Sequence, residues 1–314
     1  MVRVAIVGCG GIGSRHAQGA ARAPEVSHID CVDVDKNSID LCKTRLEEIN
    51  HDKQVVFHSN VASLTEHVDV CIVATPSKNR KQVILDILDK INVKYFILEK
   101  IVFQTEEDFN LIEDVFLKQN IKCWVNCYSR AEERYKEVKK NIAKGSSFKM
   151  IAEYPEPPNF NLGSSVIHIL DLFCYLRNDY NLKTDLGGLE KTILESKHAG
   201  YMEFTGRIQA QNKFGDSLDI RPQAVSSLRY TIQFENMEYV CSEDQDFYFC
   251  VTNKQKTLFE SEFLWQNSLT NLYIRDIINN ETCDLPTLNE SYKVHRFLLE
   301  AVRDHFKIEV VNIT

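Results

Sequence analysis

The stretch Val2-Arg3-Val4-Ala5-Ile6-Val7-Gly8-Cys9-Gly10-Gly11-Ile12-Gly13 decides the reading of this chain. Six residues of core-strand character run without a break into G-x-G-x-x-G, and Gly13–Ala23 continues as a helical pattern that stops before Pro24. Strand, glycine turn and helix in that order form the context in which the motif has physical meaning. Gly8 permits the tight turn, Gly10 lets the backbone approach a pyrophosphate, and Gly13 lets helix and strand pack closely. Free amides at the helix N-terminus, around Gly11 and Ile12, face the anion.

A second strand, His28–Val34, tests the reading further. Asp33 falls 33 − 13 = 20 positions past the last glycine, at the tip of that strand. A carboxylate there accepts hydrogen bonds from the adenosine ribose hydroxyls and repels a 2′-phosphate. Val34 follows it, not the arginine suited to a phosphorylated ribose, so NAD is expected ahead of NADP, with Lys36 nearby on the other side of the balance. The same kind of turn also opens folds that hold S-adenosylmethionine or flavin.

Working outward, short apolar runs alternate with helical patterns, as in βαβ units on a parallel sheet. Helices are expected at Ser38–Glu48, Lys81–Lys90 and Glu106–Gln119. Strands are expected at Val55–His58, Val68–Ala74, Tyr95–Leu98 and Lys122–Cys127. The rhythm then changes. Arg130–Ala143 reads as one helix, Lys149–Tyr154 as a strand, and Pro155, Pro157 and Pro158 break the chain before a helix over Ser164–Leu176. The runs Leu189–Ser196, Met202–Gln211, Ser227–Phe234, Met237–Cys241, Phe247–Val251 and Thr257–Glu262 suggest an antiparallel sheet. Leu288–His305 returns to helix. The expectation is an α/β chain: an N-terminal Rossmann dinucleotide-binding domain over residues 1–121, then an α+β domain over 122–314 with an open, mainly antiparallel sheet. The last helix is free to pack back on the first domain.

Composition excludes several classes. A net charge of −8 speaks against a general nucleic-acid or anionic-membrane binder, which needs a basic surface. No apolar run approaches the roughly 18–20 residues of a membrane span, and the first residues form a core strand rather than a signal peptide. Ten cysteines are scattered without a CxxC, and Cys31, Cys71, Cys123 and Cys127 sit in apolar runs, so a reduced, cytoplasmic protein is expected. His16, His28, His295 and His305 show no metal-ligand spacing, and no metal is expected.

Several stretches together resemble the glucose–fructose oxidoreductase / inositol dehydrogenase family (Gfo/Idh/MocA). The Gly8–His16 block is similar to that family's glycine turn, and Val70-Cys71-Ile72-Val73-Ala74-Thr75-Pro76 to its strand ending in Thr-Pro beside the nicotinamide. Leu98-Glu99-Lys100 resembles its Glu-Lys-Pro motif, Val125–Arg130 its crossover strand and arginine, and Gly163–Leu176 the helix carrying its active-site histidine. Leu285-Pro286-Thr287 also fits. Three positions depart: Ile101 replaces the proline, Arg80 stands where a histidine often follows Thr-Pro, and Ser164 takes the place of an aspartate four residues before the histidine.

The resemblance implies Thr75, Pro76, Glu99 and Lys100 at the cofactor. It also implies Lys100 and His168 as the catalytic pair. Lys100 would bond the reacting oxygen, and His168 would exchange the hydroxyl proton, since an imidazole ordinarily titrates near the working range. Asp171, three positions on, shares the helix face of His168; Arg130 is expected either to bind substrate or to make an interdomain ion pair. The implied activity is hydride transfer between NAD(P) and a hydroxyl or carbonyl carbon of a sugar, cyclitol or nucleotide-linked sugar. The same scaffold also suits NAD-dependent glycoside cleavage or a non-catalytic dinucleotide sensor. A homodimer or homotetramer through the C-terminal sheet is expected from relatives.

Overall fold

A computed structural model describes every residue except 1, 65–66, 143–145, 159 and 262–263. The expected helix end at Ala143, the strand end at Glu262 and Asn159 of the proline-rich loop lie outside the described residues. The first part of the chain runs β1 (Val2–Val7), α1 (Gly13–Arg22), β2 (Val26–Val32), α2 (Lys36–Glu47), β3 (Gln54–His58), β4 (Val68–Val73), α3 (Ser77–Lys90), β5 (Val93–Leu98), α4 (Glu106–Lys118) and β6 (Lys122–Val125). These strands form one parallel sheet in the order β3-β2-β1-β4-β5-β6. This is the doubly wound order, and its direction reverses between β1 and β4, where ligands bind at the strand C-terminal ends. Val4–Ile6, Val70–Ile72 and Phe96–Leu98 are fully buried, because helices cover both faces and leave no side of these strands wet. Asp35 caps α2 by accepting from the amides of Asn37 and Ser38, and Thr105 caps α4 through Asp108 N–H.

Past β6 the expected single helix is split. A 3₁₀ turn over Tyr128–Ala131 precedes α5 (Glu133–Ile142), followed by β7 (Lys149–Pro155) and α6 (Leu162–Arg177). The strands that follow are β8 (Lys183–Leu189), β9 (Leu194–Glu195), β10 (Met202–Glu203), β11 (Gly206–Gln211), β12 (Ser217–Gln223), β13 (Arg229–Phe234), β14 (Met237–Ser242), β15 (Phe247–Thr252) and β16 (Gln255–Glu260). The run expected as a strand at Leu189–Ser196 is the end of β8 and the short β9. Eight strands make an open sheet in the order β16-β15-β14-β13-β7-β12-β11-β8, antiparallel except where β12 runs parallel to β7. Met150, Ala152, Ile220, Tyr230 and Ile232 are buried on one face. Tyr135 of α5 meets Tyr230 edge-on at 5.7 Å, and Phe173 of α6 lies 5.3 Å from Phe148, so α5 and α6 cover that face. On these strands Arg207, Asp219, Arg221, Glu153 and Arg229 link as ion pairs.

The chain then forms α7 (Gln266–Asn280) and ends with α8 (Leu288–Phe306). Two compact units result: Met1–Asn126 with Leu264–Asn289, and Cys127–Phe263 with Glu290–Thr314. β6 belongs to the first because it pairs with β5. The α7 helix joins that unit by lying against α1, where a Cβ on Gly19 would stand 2.5 Å from Thr270 Cβ, so only glycine allows this approach. All ten cysteines are free, and no described helix is long and apolar enough to cross a membrane.

Candidate functional site

The glycines of the turn do different jobs. Gly8 has φ +93°, and a Cβ there would lie 2.7 Å from Ala74 C and Thr75 N, so the turn after β1 presses on the turn after β4 at the switch point. A Cβ on Gly13 would stand 1.7 Å from Gly8 O. Gly11, by contrast, opens onto empty space, with nothing within 4 Å of its Cβ position. No side chain caps α1 at Ile12; the Ser14 and Arg15 amides bond to Gly10 O and Ile12 O, while those of Gly11, Ile12 and Gly13 make no backbone hydrogen bond among the described residues and remain for an anion. Arg45 of α2 donates to Gly11 O and to Ser14 Oγ (2.7 Å), placing a cation at the rim of this open space.

Asp33 stands where its spacing predicted. Its carboxylate accepts from Cys9 N–H (2.6 Å) and Asp35 N–H (2.8 Å), which fixes it beside the glycine turn and leaves lone pairs for sugar hydroxyls. Next to Gly8, the Oγ1 of Thr75 is buried with no hydrogen-bond partner among the described residues. A buried hydroxyl without a partner is costly, and at a ligand crevice it awaits one. Open backbone at Gly11, an unpartnered Thr75 hydroxyl and a fixed Asp33 carboxylate together match the pyrophosphate, nicotinamide side and ribose of a dinucleotide.

Glu99 and Lys100 follow β5. Glu99 turns inward: Oε1 meets His16 Nε2 (2.9 Å) and accepts from Asn126 Nδ2 (2.5 Å), while His16 Nδ1 meets Thr270 Oγ1 (2.9 Å) and Asn126 also donates to Gln266 Oε1 (2.7 Å). Burial pushes the Glu99 carboxyl up, but the hydrogen bond and charge of His16, with Lys100 and Asn126, outweigh it and hold the group down at about 2. The Lys100–Ile101 peptide is cis, without the proline the motif usually carries. Arg80, 1% exposed, donates to the carbonyls of Glu99 (2.5 Å), Ile101, Val102 (3.0 Å) and Thr75. One guanidinium thus ties the Lys100 turn to the Thr75 turn, the fork geometry that a lysine cannot supply. Sequence reading singled out Arg80 only as a departure. Arg45, Asn126, Gln266 and Thr270 it did not name at all; they lie far apart in the chain and carry no local signature.

In the other unit, His168 lies on α6, 9% exposed, with its ring 4.9 Å from that of Tyr128. Tyr128 donates to Glu243 Oε1 (2.8 Å). Burial drives the carboxyls of Glu243 and Glu132 up to about 7 and about 8. Asp171 is occupied: Arg130 Nε and Nη2 donate to its two oxygens at 2.7 and 2.6 Å, fork to fork, with both residues buried. Arg130 also sits over Tyr175 (5.3 Å) and Tyr180 (5.6 Å). Arg130 forms an ion pair, but not the interdomain one expected: Arg130 and Asp171 both belong to the unit Cys127–Phe263. Ser164 Oγ donates to Asn161 O, within its own helix start.

No curated protein sequence matches the chain significantly. Solved structures do match in fold. The myo-inositol dehydrogenase of Lactobacillus casei, in complex with NAD(H) and myo-inositol, superposes with TM-score 0.73 at 15% identity, covering 100% of this chain and 97% of that one. An oxidoreductase of Agrobacterium radiobacter in complex with NAD+, L-tartaric acid and magnesium gives 0.73 at 14% identity over 99% and 98%. The UDP-N-acetylglucosamine 3-dehydrogenase of Acidithiobacillus ferrooxidans gives 0.70 at 11% over 96% of each chain. Residues 2–127 match the family model described as oxidoreductase family, NAD-binding Rossmann fold. With the fingerprint, Asp33 and the strand order in place, this segment is an NAD-binding Rossmann domain of the Gfo/Idh/MocA oxidoreductase family.

Proposed function

We propose that the chain transfers a hydride between NAD and a hydroxyl- or carbonyl-bearing carbon of a sugar, cyclitol or nucleotide-linked sugar. The observation that carries this is the switch point itself: an open glycine turn and an unpartnered Thr75 hydroxyl, with Asp33 fixed by two backbone amides. Bound NAD supplies the hydride acceptor or donor. Gly8, Gly10, Gly11, Ile12 and Gly13 receive the pyrophosphate, Asp33 takes the ribose hydroxyls, and Thr75 and Pro76 border the nicotinamide. Glu99, locked to His16 and Asn126, holds the end of β5 so that Lys100 is presented from a fixed turn. Lys100 hydrogen-bonds the reacting oxygen and stabilises alkoxide charge. His168 takes the hydroxyl proton in oxidation and returns it in reduction. Asp171 serves this chemistry from behind, through Arg130, because both its oxygens are already held.

The substrate class follows the names of the structural neighbours, an inositol dehydrogenase and a nucleotide-sugar dehydrogenase among them. Assembly as a homodimer or homotetramer through the eight-stranded sheet belongs to the same reading; a monomer in light scattering counts against it. A panel of polyols, sugars and nucleotide sugars, followed by absorbance of the reduced cofactor, tests the activity. Lys100→Met is expected to abolish turnover with dinucleotide affinity nearly intact, and an active variant removes Lys100 from the reaction. Release of free sugar from a glycoside without net NADH would favour the glycoside-cleaving alternative. Tight NAD binding with no turnover of any panel member would favour a sensor.

A further inference from the structure

Three cysteines that the sequence scatters converge beneath the glycine turn. Cys9 follows Gly8 in the turn, Cys31 lies in β2 and Cys42 on α2, and their three Sγ atoms all lie within 4.8 Å of one another, Cys42 to Cys31 being 3.8 Å. Each of these side chains is 0% exposed. We propose that Cys9, Cys31 and Cys42 form a three-thiolate site for one soft, thiophilic metal ion.

The geometry suits such an ion. With metal–sulfur bonds of about 2.3 Å, three sulfurs arranged trigonally stand about 4 Å apart (2.3 Å × √3). The present spacing of 3.8 Å to at most 4.8 Å lies within an ångström of that arrangement. Among the described residues no carboxylate or imidazole joins the set, and the three side chains are closed to solvent, so hard oxygen-seeking ions such as magnesium and calcium find no ligands there. The Cys42 thiol donates to Cys31 Sγ at 3.8 Å, and the Cys9 thiol points to Val32 O at 3.5 Å. Binding a divalent ion replaces the thiol protons: M²⁺ with three thiols gives M(SR)₃⁻ and three protons, with no change of oxidation state. Arg45, on the same helix as Cys42, offsets the remaining negative charge. Entry runs through the turn, where Gly11 is exposed and Ile12 is 40% exposed. Cys9 donates its N–H to Asp33, so an ion drawing Cys9 inward acts directly on the residue assigned to the ribose.

Full-length protein, stripped with chelator under a non-thiol reductant, is titrated with Cd²⁺ while the thiolate-to-metal charge-transfer absorbance is recorded. The expected result is saturation at one ion per chain, with X-ray absorption counting three sulfurs around cadmium. Cys31→Ser and Cys42→Ala should each weaken binding at least a hundredfold, while Cys250→Ser and Cys283→Ser, at the two partly exposed cysteines, leave it within twofold. Excess Mg²⁺ should not compete. No saturable band, a count of two sulfurs or fewer in the wild type, or binding that survives in Cys31→Ser and Cys42→Ala would overturn the proposal. The sulfur count needs no variant, so it decides the matter even if a core substitution fails to fold. None of these readouts depends on catalysis.

Discussion

Gly13→Ala is the sharpest test of how the glycine turn is built. Gly13 is the first residue of α1, where alanine would ordinarily stabilise by up to about 1 kcal/mol. Here the added Cβ would stand 1.7 Å from Gly8 O and 2.8 Å from Gly8 C. Restoring even a 3.0 Å contact requires a retreat of 3.0 − 1.7 = 1.3 Å. The Gly8 carbonyl has no room to retreat. Gly8 N–H is bonded to Val32 O at 2.8 Å, Ala74 N–H to Val7 O at 2.8 Å, and the far side of Gly8 abuts Ala74 and Thr75. The strain must then be taken by shifting α1 off the sheet. Overpacking of a tight core costs about 1–3 kcal/mol, and the absence of an escape route places this case at the upper end, about 3 kcal/mol. That is more than a hundredfold in the folding equilibrium, since every 1.4 kcal/mol is about tenfold. Urea unfolding by circular dichroism measures it, with fluorescence titration of NADH reporting loss of the site. Gly11→Ala is the internal control: with nothing within 4 Å of its Cβ, its stability should stay within about 0.5 kcal/mol of wild type. If Gly13→Ala proves as stable as Gly11→Ala and binds NADH as wild type does, the close helix–strand contact argued here is wrong.

Other expectations follow from the same contacts. Asp33→Ala should weaken NAD binding at least tenfold in calorimetry with little change in the unfolding midpoint; undiminished affinity would rule out the ribose role. Asp171→Asn removes the bidentate anion of buried Arg130, leaving only Glu290 at 3.6 Å, and should cost about 3 kcal/mol in denaturant titration, so a loss below about 1 kcal/mol would show that the pair is not buried as described. The Glu243 carboxyl is raised from 4.5 to about 7, by burial first, with Tyr128 and Arg134 pulling it down and Asp244 pushing it up. A raised acid binds more protons folded than unfolded, so its contribution is fully present below about pH 4.5 and is lost as pH rises towards 7. Glu243→Gln keeps an acceptor for Tyr128 and should gain stability relative to wild type at pH 8 but not at pH 4.5. Parallel pH–stability curves for the two proteins would contradict this.

The parts of the fold that were legible beforehand share one property: their signal is local. Val2–Gly13 announced strand, turn and helix within twelve residues, and Asp33 was found by counting along one further strand. The β-rich second half was legible as a class, but β12 was missed because Asp219, Arg221 and Pro222 interrupt its apolar alternation; parallel pairing with β7 makes it a strand. The α7 helix was missed too. It lacks a side-chain cap and a strong apolar stripe, and its place is set by the close approach of α1 at Gly19.

Sequence by itself therefore determined the dinucleotide half: the order of strands and helices, the glycine turn and the carboxylate that follows, since neighbours in the chain dictate backbone conformation. Lys100 and His168 are proposed from the resemblance alone. Tertiary structure alone decided what those side chains lean on. Arg80 gathers carbonyls from two turns, Glu99 is claimed by His16 and Asn126, Asp171 is claimed by Arg130, and three distant cysteines share one pocket. Buried polar groups must find partners wherever the fold brings them, and those partners lie tens or hundreds of residues away, beyond the reach of any local pattern.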